Sequence, residues 1–327
     1  MGSKYRGALV ALRIIVSVGL LALLVWRASP GAIWQRWQGL SAPLLALTIL
    51  IQIAGHALST AKWGLVLRAQ GHRQPYWWLL RTYMVGQFAN NFLPTTVGGD
   101  AVRAAQLGPR VGSYAHAAAS VLLERITGLW ALSVLGTLGL LAGAADPPLP
   151  LALLVLASAV VTTLVLLATG RAGLAMRLIE RLPLPAALRR GALALVEALQ
   201  SAARAPGAML AVLALSLGFQ LLWIGMHVVA GAALGLAVPP LLYGFMVPLT
   251  DILGLVPLFF NNLGVREGVF SFFLGRIGIP AASAIALAVL IFSIRLVVSG
   301  AGGVILLLGG VQQARKVLQP AQPAAER

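Results

Sequence analysis

The sequence has no cysteine and only eight acidic residues in 327 positions. Without cysteine there is no disulfide framework, no thiolate metal ligand and no sulfur nucleophile. The four histidines, His56, His72, His116 and His227, are scattered. No two stand at i, i+4, and neither HExxH nor H-x-E occurs, so no metal set is expected. Phosphate-binding P-loops and dinucleotide fingerprints are also missing, and the sequence points to no cofactor. Charged residues make up 10% of the chain, against roughly 25% in soluble domains.

What fills the chain instead is apolar: 59% hydrophobic residues and a mean hydropathy of +0.91. This composition predicts an all-α integral membrane protein. Twenty-four basic residues give a net charge of +16. In a soluble chain such an excess would suggest nucleic acid. Here it holds loops on the cytoplasmic side and touches anionic headgroups, and no nucleic acid partner is expected.

About six spanning helices are predicted, near residues 8–26, 43–67, 115–141, 149–169, 208–234 and 281–308. The first follows Lys4 and Arg6 and ends at Trp26-Arg27. It reads as an uncleaved span, because a secretory signal has a shorter core and a small-x-small cleavage site. A basic stretch at 171–204, divided by Pro183 and Pro185, reads as two amphipathic helices on the membrane surface. It separates a half at 1–170 from a half at 205–312 within one membrane domain, 1–312. The Pro- and Ala-rich tail, 313–327, reads as disordered.

Two stretches break the apolar pattern. Asn90-Asn91-Phe92-Leu93-Pro94 leads through Thr95, Thr96 and Val97 to Gly98-Gly99-Asp100 and Arg103. Late in the chain, Pro257 is followed by Asn261-Asn262-Leu263-Gly264-Val265-Arg266-Glu267-Gly268. A helix cannot run unbroken through such residues facing lipid, so the broken backbone must be shielded by protein or line a cavity. The flanking arms, 78–92 with 100–108 and 241–256 with 265–277, are each too short for a ~30 Å hydrocarbon core. Two re-entrant broken-helix hairpins are predicted. Lysines and arginines near span ends put both termini on the cytoplasmic side. The first hairpin then enters from the cytoplasm and the second from outside, as in an inverted-topology repeat whose halves meet at the bilayer midplane.

The polar residues of these breaks are the candidates for binding. Gly98 and Gly99 can expose backbone N–H groups, and a helix N-terminus right after such a pair suits an anion. Asp100 either caps that helix or serves the site, and Arg103, at i+3 on the same face, reaches a phosphate or neutralises Asp100. Arg266 is the matching phosphate candidate in the second break, because guanidinium binds phosphate oxygens in pairs. Asn262 reads as the cap of its helix, Glu267 as a partner of the helix dipole. Glu124, Arg125 and Arg295 stand deep within spans, where charges face a cavity or a partner. Glu124 has Arg103, Arg125 and Arg295 open to it, including a structural ion pair between the halves. Lys62 reads as snorkelling to the interface.

The motifs N-N-F-L-P-T-T-V-G-G-D-A-V-R at 90–103, L-L-E-R-I-T-G at 122–128 and N-N-L-G-V-R-E-G at 261–268 stand in this order. Through them the chain resembles the transmembrane domain of the lysylphosphatidylglycerol synthase family, also called flippase-like membrane proteins. The resemblance implies a bacterial or archaeal inner-membrane protein. It marks Pro94, Gly98, Gly99, Asp100, Arg103, Glu124, Arg125, Gly264, Arg266, Glu267 and Gly268 as motif positions. Fused members carry an aminoacyl-transferase domain. Nothing after Leu318 has the length for one, so lysyl transfer is not expected. Three functions are then open. The first is a flippase-like transporter of an anionic phospholipid or lipid-linked substrate. The second is a non-catalytic partner of a separately encoded transferase, docking through 171–204. The third is a headgroup enzyme, which lacks a poised His or Cys. The first fits the basic midplane site best, and the chain is not expected to be an enzyme.

Overall fold

The computed structural model describes residues 30–92, 98–168, 172–256 and 261–318, with positions 19, 22, 23 and 26. Most of the expected first span, the break residues Pro94 and Pro257 and the end of the tail lie outside the described residues. Among these residues all regular structure is helical: α1 (Pro30–Gln38), α2 (Ala42–Ala69), α3 (Tyr76–Phe92), α4 (Gly98–Val111), α5 (Tyr114–Leu141), α6 (Leu149–Ala168), α7 (Ala172–Arg181), α8 (Ala186–Ala203), α9 (Pro206–Ala233), α10 (Pro240–Leu253), α11 (Val265–Arg276) and α12 (Ala281–Leu318).

Five of these helices are long and apolar enough to cross a membrane: α2, α5, α6, α9 and the Ala281–Leu308 part of α12. They match five of the six expected spans. At ~1.5 Å per residue, the 17 residues of α3, 14 of α4, 14 of α10 and 12 of α11 cover only about 18–25 Å each. None of the four is a full crossing of a ~30 Å core. The basic stretch forms two helices, α7 and α8, with Pro183 and Pro185 in the gap. One boundary differs from expectation. α12 continues to Leu318, past position 313 where the tail was placed, because Val311 to Leu318 contains no helix-breaking residue.

Small residues set the closest packing, as lipid offers no hydrophobic drive between helices. α4 lies antiparallel on α3. A Cβ on Gly99 would fall 1.9 Å from the carbonyl oxygen of Gly86. Gly302 of α12 lies against α3 in the same way, its added Cβ 2.0 Å from the Met84 carbonyl oxygen. On the other side of the molecule, Gly139 of α5 packs on the backbone of Gly244 in α10, and Gly136 on Pro248. α2 and α9 pack along each other, with Gly55 against Phe219 and Gly218 against Leu58.

Contacts sort the connecting segments into two ends of the bundle. At one end Arg110 donates to Gln74 (3.3 Å), the rings of His72 and His116 meet edge to face, and His116 lies 3.9 Å from Glu197. At the other end the Ser41 amide donates to the Ala233 carbonyl (3.0 Å) and the Trp37 indole to the Ala286 carbonyl (3.2 Å). Arg276 pairs there with the Asp146 carboxylate (3.2 Å). The α3–α4 pair starts and finishes at the first end; the α10–α11 pair does so at the second. Their inner tips touch: Asn261 Nδ2 donates to Asn91 Oδ1 (2.9 Å), and Asn91 Nδ2 to the Ser299 hydroxyl (2.7 Å).

Candidate functional site

Two polar clusters flank that contact. The first is built from α2, α3, α4 and α5. Glu124 is its centre, 5% exposed, between Lys62 Nζ at 2.8 Å and Arg103 at 3.1 Å. The Ser59 hydroxyl donates to the same carboxylate (3.0 Å), and Lys62 Nζ also donates to the Glu124 carbonyl (3.0 Å). Arg103 lies between the rings of Trp63 and Tyr83, 4.2 and 4.7 Å from their centroids. Asp100 lies 3.6 Å from Arg103 and pairs with the Arg125 guanidinium. A charged side chain buried in the membrane is costly unless paired and hydrogen-bonded. Here each carboxylate has two cations, and three cations meet two acids.

The second cluster comes from α9, α10, α11 and α12. Asp251 accepts from the Trp223 indole (2.8 Å) and from Asn262 Nδ2 (3.3 Å). Arg295 makes one long hydrogen bond to Asn261 (3.5 Å) and lies 5.5 Å from the Trp223 ring centre. Arg266 is 1% exposed, and its Nη1 and Nη2 have no hydrogen-bond partner among the described residues. No ion pair within 4 Å occurs in this cluster among the described residues.

A cavity of about 550 Å³ reaches both clusters. Lys62, Arg103, Glu124 and Arg125 line it from the first, Asp251, Asn261, Asn262 and Arg295 from the second. Its volume lies in the range of small-ligand sites. Gln52, His56, Gln87, Asn90 and Gln220 add further polar groups, while Ile51, Leu129, Phe219 and Met226 supply an apolar wall.

Several expectations need correction. Lys62 does not snorkel to an interface: it is 1% exposed and held by Glu124. Of the three arginines open to Glu124, Arg103 takes it; Arg125 turns to Asp100, and Arg295 belongs to the other cluster. The ion pair lies within the first half, and neutral amides join the halves: Asn91–Asn261, and Gln220 Nε2 on the Gly128 carbonyl (3.0 Å). Asp100 is the third residue of α4 and faces arginines instead of capping. The Gly99 amide is not bare, since it donates to Asn90 Oδ1 (2.7 Å). Asn262 does not cap α11. Gly264 holds the cap position at φ +84°, a left-handed conformation open to glycine, and Glu267 reaches back to its amide (2.6 Å). Gly98, Gly99, Asp100, Gly264, Arg266 and Glu267 do not line the cavity; Arg103, Glu124, Arg125, Asn262 and Arg295 do.

The sequence reading missed Asp251, Ser59, Tyr83 and the Asn91–Asn261 bridge. Asp251 carried a signal of its own, as the lone acid of an apolar helix.

A family model described as the lysylphosphatidylglycerol synthase TM region matches residues 10–303. The chain belongs to this family. The match takes in both breaks, both clusters and all five long apolar helices up to Gly303. Membership in the lysylphosphatidylglycerol synthase TM family, with these helices, makes the chain a multi-pass membrane protein related to lipid handling. No curated protein matches it.

Proposed function

We propose that the protein is a flippase-like transporter that moves an anionic phospholipid or lipid-linked substrate between the leaflets of the inner membrane. The observation that carries this reading is the cavity shared by the two clusters. It is walled by four cations and two carboxylates, deep among membrane-spanning helices. A surplus of buried positive charge lowers its cost by taking in a negatively charged headgroup.

The architecture supports the reading. Exchange α2 with α9, α3 with α10, α4 with α11 and α5 with α12, and each packing contact among these eight helices acquires a counterpart. α3 on α12 answers α10 on α5, α2 on α12 answers α9 on α5, and the α2–α9 contact maps onto itself. We read this as an inverted repeat, with α3–α4 and α10–α11 as re-entrant hairpins from opposite leaflets. Alternating access by rocking such halves about a midplane site follows naturally. The end of the bundle that holds Arg68, Arg73, Arg110 and the α7–α8 arginines would face the cytoplasm. No chemistry on the headgroup belongs to this proposal. Glu124 is already engaged by two cations and a hydroxyl.

The test is reconstitution into vesicles carrying fluorescent phosphatidylglycerol or phosphatidylcholine. Movement of phosphatidylglycerol between leaflets should exceed that in empty vesicles, with headgroups chemically unchanged. Movement no faster than in empty vesicles overturns the proposal.

A further inference from the structure

The α5 helix carries two adjacent stripes along the cavity. Glu124, Gly128 and Leu132, at i, i+4 and i+8, form the inner one. Leu122, Arg125, Ile126 and Leu129, at i, i+3, i+4 and i+7, form the other, and this second stripe reaches the surface. Leu122 is 40% exposed and the Arg125 side chain 42%, yet both line the cavity. Leu255, just past the end of α10, also lines the cavity and is 54% exposed. Leu222 of α9 completes the frame.

The depth of this frame matters. Arg125 is the twelfth residue of the 28-residue α5, so it lies about 17 Å along a helix of about 42 Å. Leu255 follows a 14-residue helix that starts from the opposite end of the bundle. Both positions therefore lie between the two ends of the bundle, at the depth expected for hydrocarbon. An arginine half exposed at that depth is costly to leave without a counter-charge on its outer side. Asp100, itself buried, pairs with Arg125 at Nε.

Resting on the function proposed above, we infer that the cavity opens sideways into the lipid through a window framed by Leu122, Arg125, Leu222 and Leu255. The ligand is a diacyl lipid of net negative charge. Its phosphate binds the outer face of Arg125 in exchange for part of the Asp100 contact, its headgroup enters the cavity, and its chains stay outside against the leucines. A guanidinium fork suits the phosphate oxygens. A choline headgroup fits poorly, because its fixed positive charge would enter among Lys62, Arg103 and Arg295.

The absence of cysteine makes the test direct. Leu122→Cys and Leu255→Cys are each labelled with a benzophenone maleimide in the otherwise intact chain, in vesicles with labelled phosphatidylglycerol or phosphatidylcholine. Leu153→Cys and Val160→Cys, on exposed positions of α6, are the controls. Adducts at the window should favour phosphatidylglycerol about tenfold, the worth of one charge-assisted contact. The controls should show no preference. Adding Arg125→Gln should remove the preference at the window, and Arg125→Lys should keep part of it. Window adducts no more selective than those on α6 overturn the inference. Leaflet movement measured in the same vesicles separates the two proposals. Movement without selective adducts sinks the window and keeps the transporter. Selective adducts without movement keep the window as a lipid site and sink the transporter.

Discussion

The two halves solve one electrostatic problem differently. Each puts arginine and carboxylate groups beside a broken helix within the membrane. In the first half the charges are locked: Glu124 between Lys62 and Arg103, Asp100 between Arg103 and Arg125, Arg103 stacked between two aromatic rings. In the second half they are held by neutral groups. Trp223 and Asn262 serve Asp251, Asn261 serves Arg295, and both terminal nitrogens of Arg266 lack partners among the described residues. Apart from the half-exposed Arg125, the locked cluster behaves as structure, whereas a loosely held one can change partners at small cost. If the halves rock about the cavity, the second cluster is the one free to follow a ligand.

The largest effect should come from breaking the lock. Glu124→Gln leaves Lys62 and Arg103 buried without their shared counter-charge. Removing one member of a buried ion pair costs about 3–5 kcal/mol. The variant should insert poorly or show a sharply lower thermal midpoint in detergent. A midpoint within a degree or two of the parent would mean that the cluster is looser than its distances suggest.

Next comes the packing that holds the first hairpin together. Gly99→Ala drives a methyl into the Gly86 carbonyl oxygen, and Gly302→Ala another into the Met84 carbonyl oxygen. Neither obstacle is a side chain that can rotate away. Overpacking of this kind costs about 1–3 kcal/mol. Gly225→Ala, whose new methyl meets nothing within 4 Å, is the matched control and should be neutral. Thermal midpoints of the three variants check the order.

Asp251→Asn tests the second cluster and should cost only about 1 kcal/mol, since one of its two neutral hydrogen bonds survives. Its effect should fall on lipid movement, measured in vesicles, more than on the thermal midpoint. Equal destabilisation by Glu124→Gln and Asp251→Asn would erase the contrast between the halves.

Much of this architecture is legible in the amino-acid sequence. Length and hydropathy locate the five long apolar helices, because an apolar run of that length has few other homes. Pro, Gly and paired Asn residues locate the breaks, and the charged motif residues locate both clusters. What is not legible is who meets whom. Lys62 follows 20 residues of a span, and its position along the helix says nothing about which helix faces it. Arg103, Arg125 and Arg295 are equivalent candidates for Glu124 until the rotation of α4 and α5 is fixed by packing. Gly99 reads as part of an anion site, and Asn262 as the cap of its helix. Only the nearness of Gly86 to Gly99, and of the Glu267 carboxylate to the Gly264 amide, corrects these readings. Asn91 and Asn261 are 170 residues apart in sequence, and no local pattern announces their bond.

Arg266 carries the smallest expected change in stability and the sharpest distinction from Arg103. Both are buried arginines of the motifs, 1% and 4% exposed. Replacing a well-paired buried cation with an apolar side chain strands its carboxylates, whereas replacing a poorly satisfied one removes a desolvation cost. Arg103→Met should therefore lower the thermal midpoint, since Glu124 and Asp100 both lose a partner. Arg266→Met should leave the midpoint unchanged or raise it slightly. Arg266 does not line the cavity, so a direct phosphate contact is not required of it. Its charge still acts on Asp251 beside the cavity wall. Under the proposed function, Arg266→Met should slow lipid movement in vesicles while the protein stays folded. A variant both stable and fully active would assign Arg266 neither role, and a strongly destabilised one would show that the second cluster is locked after all.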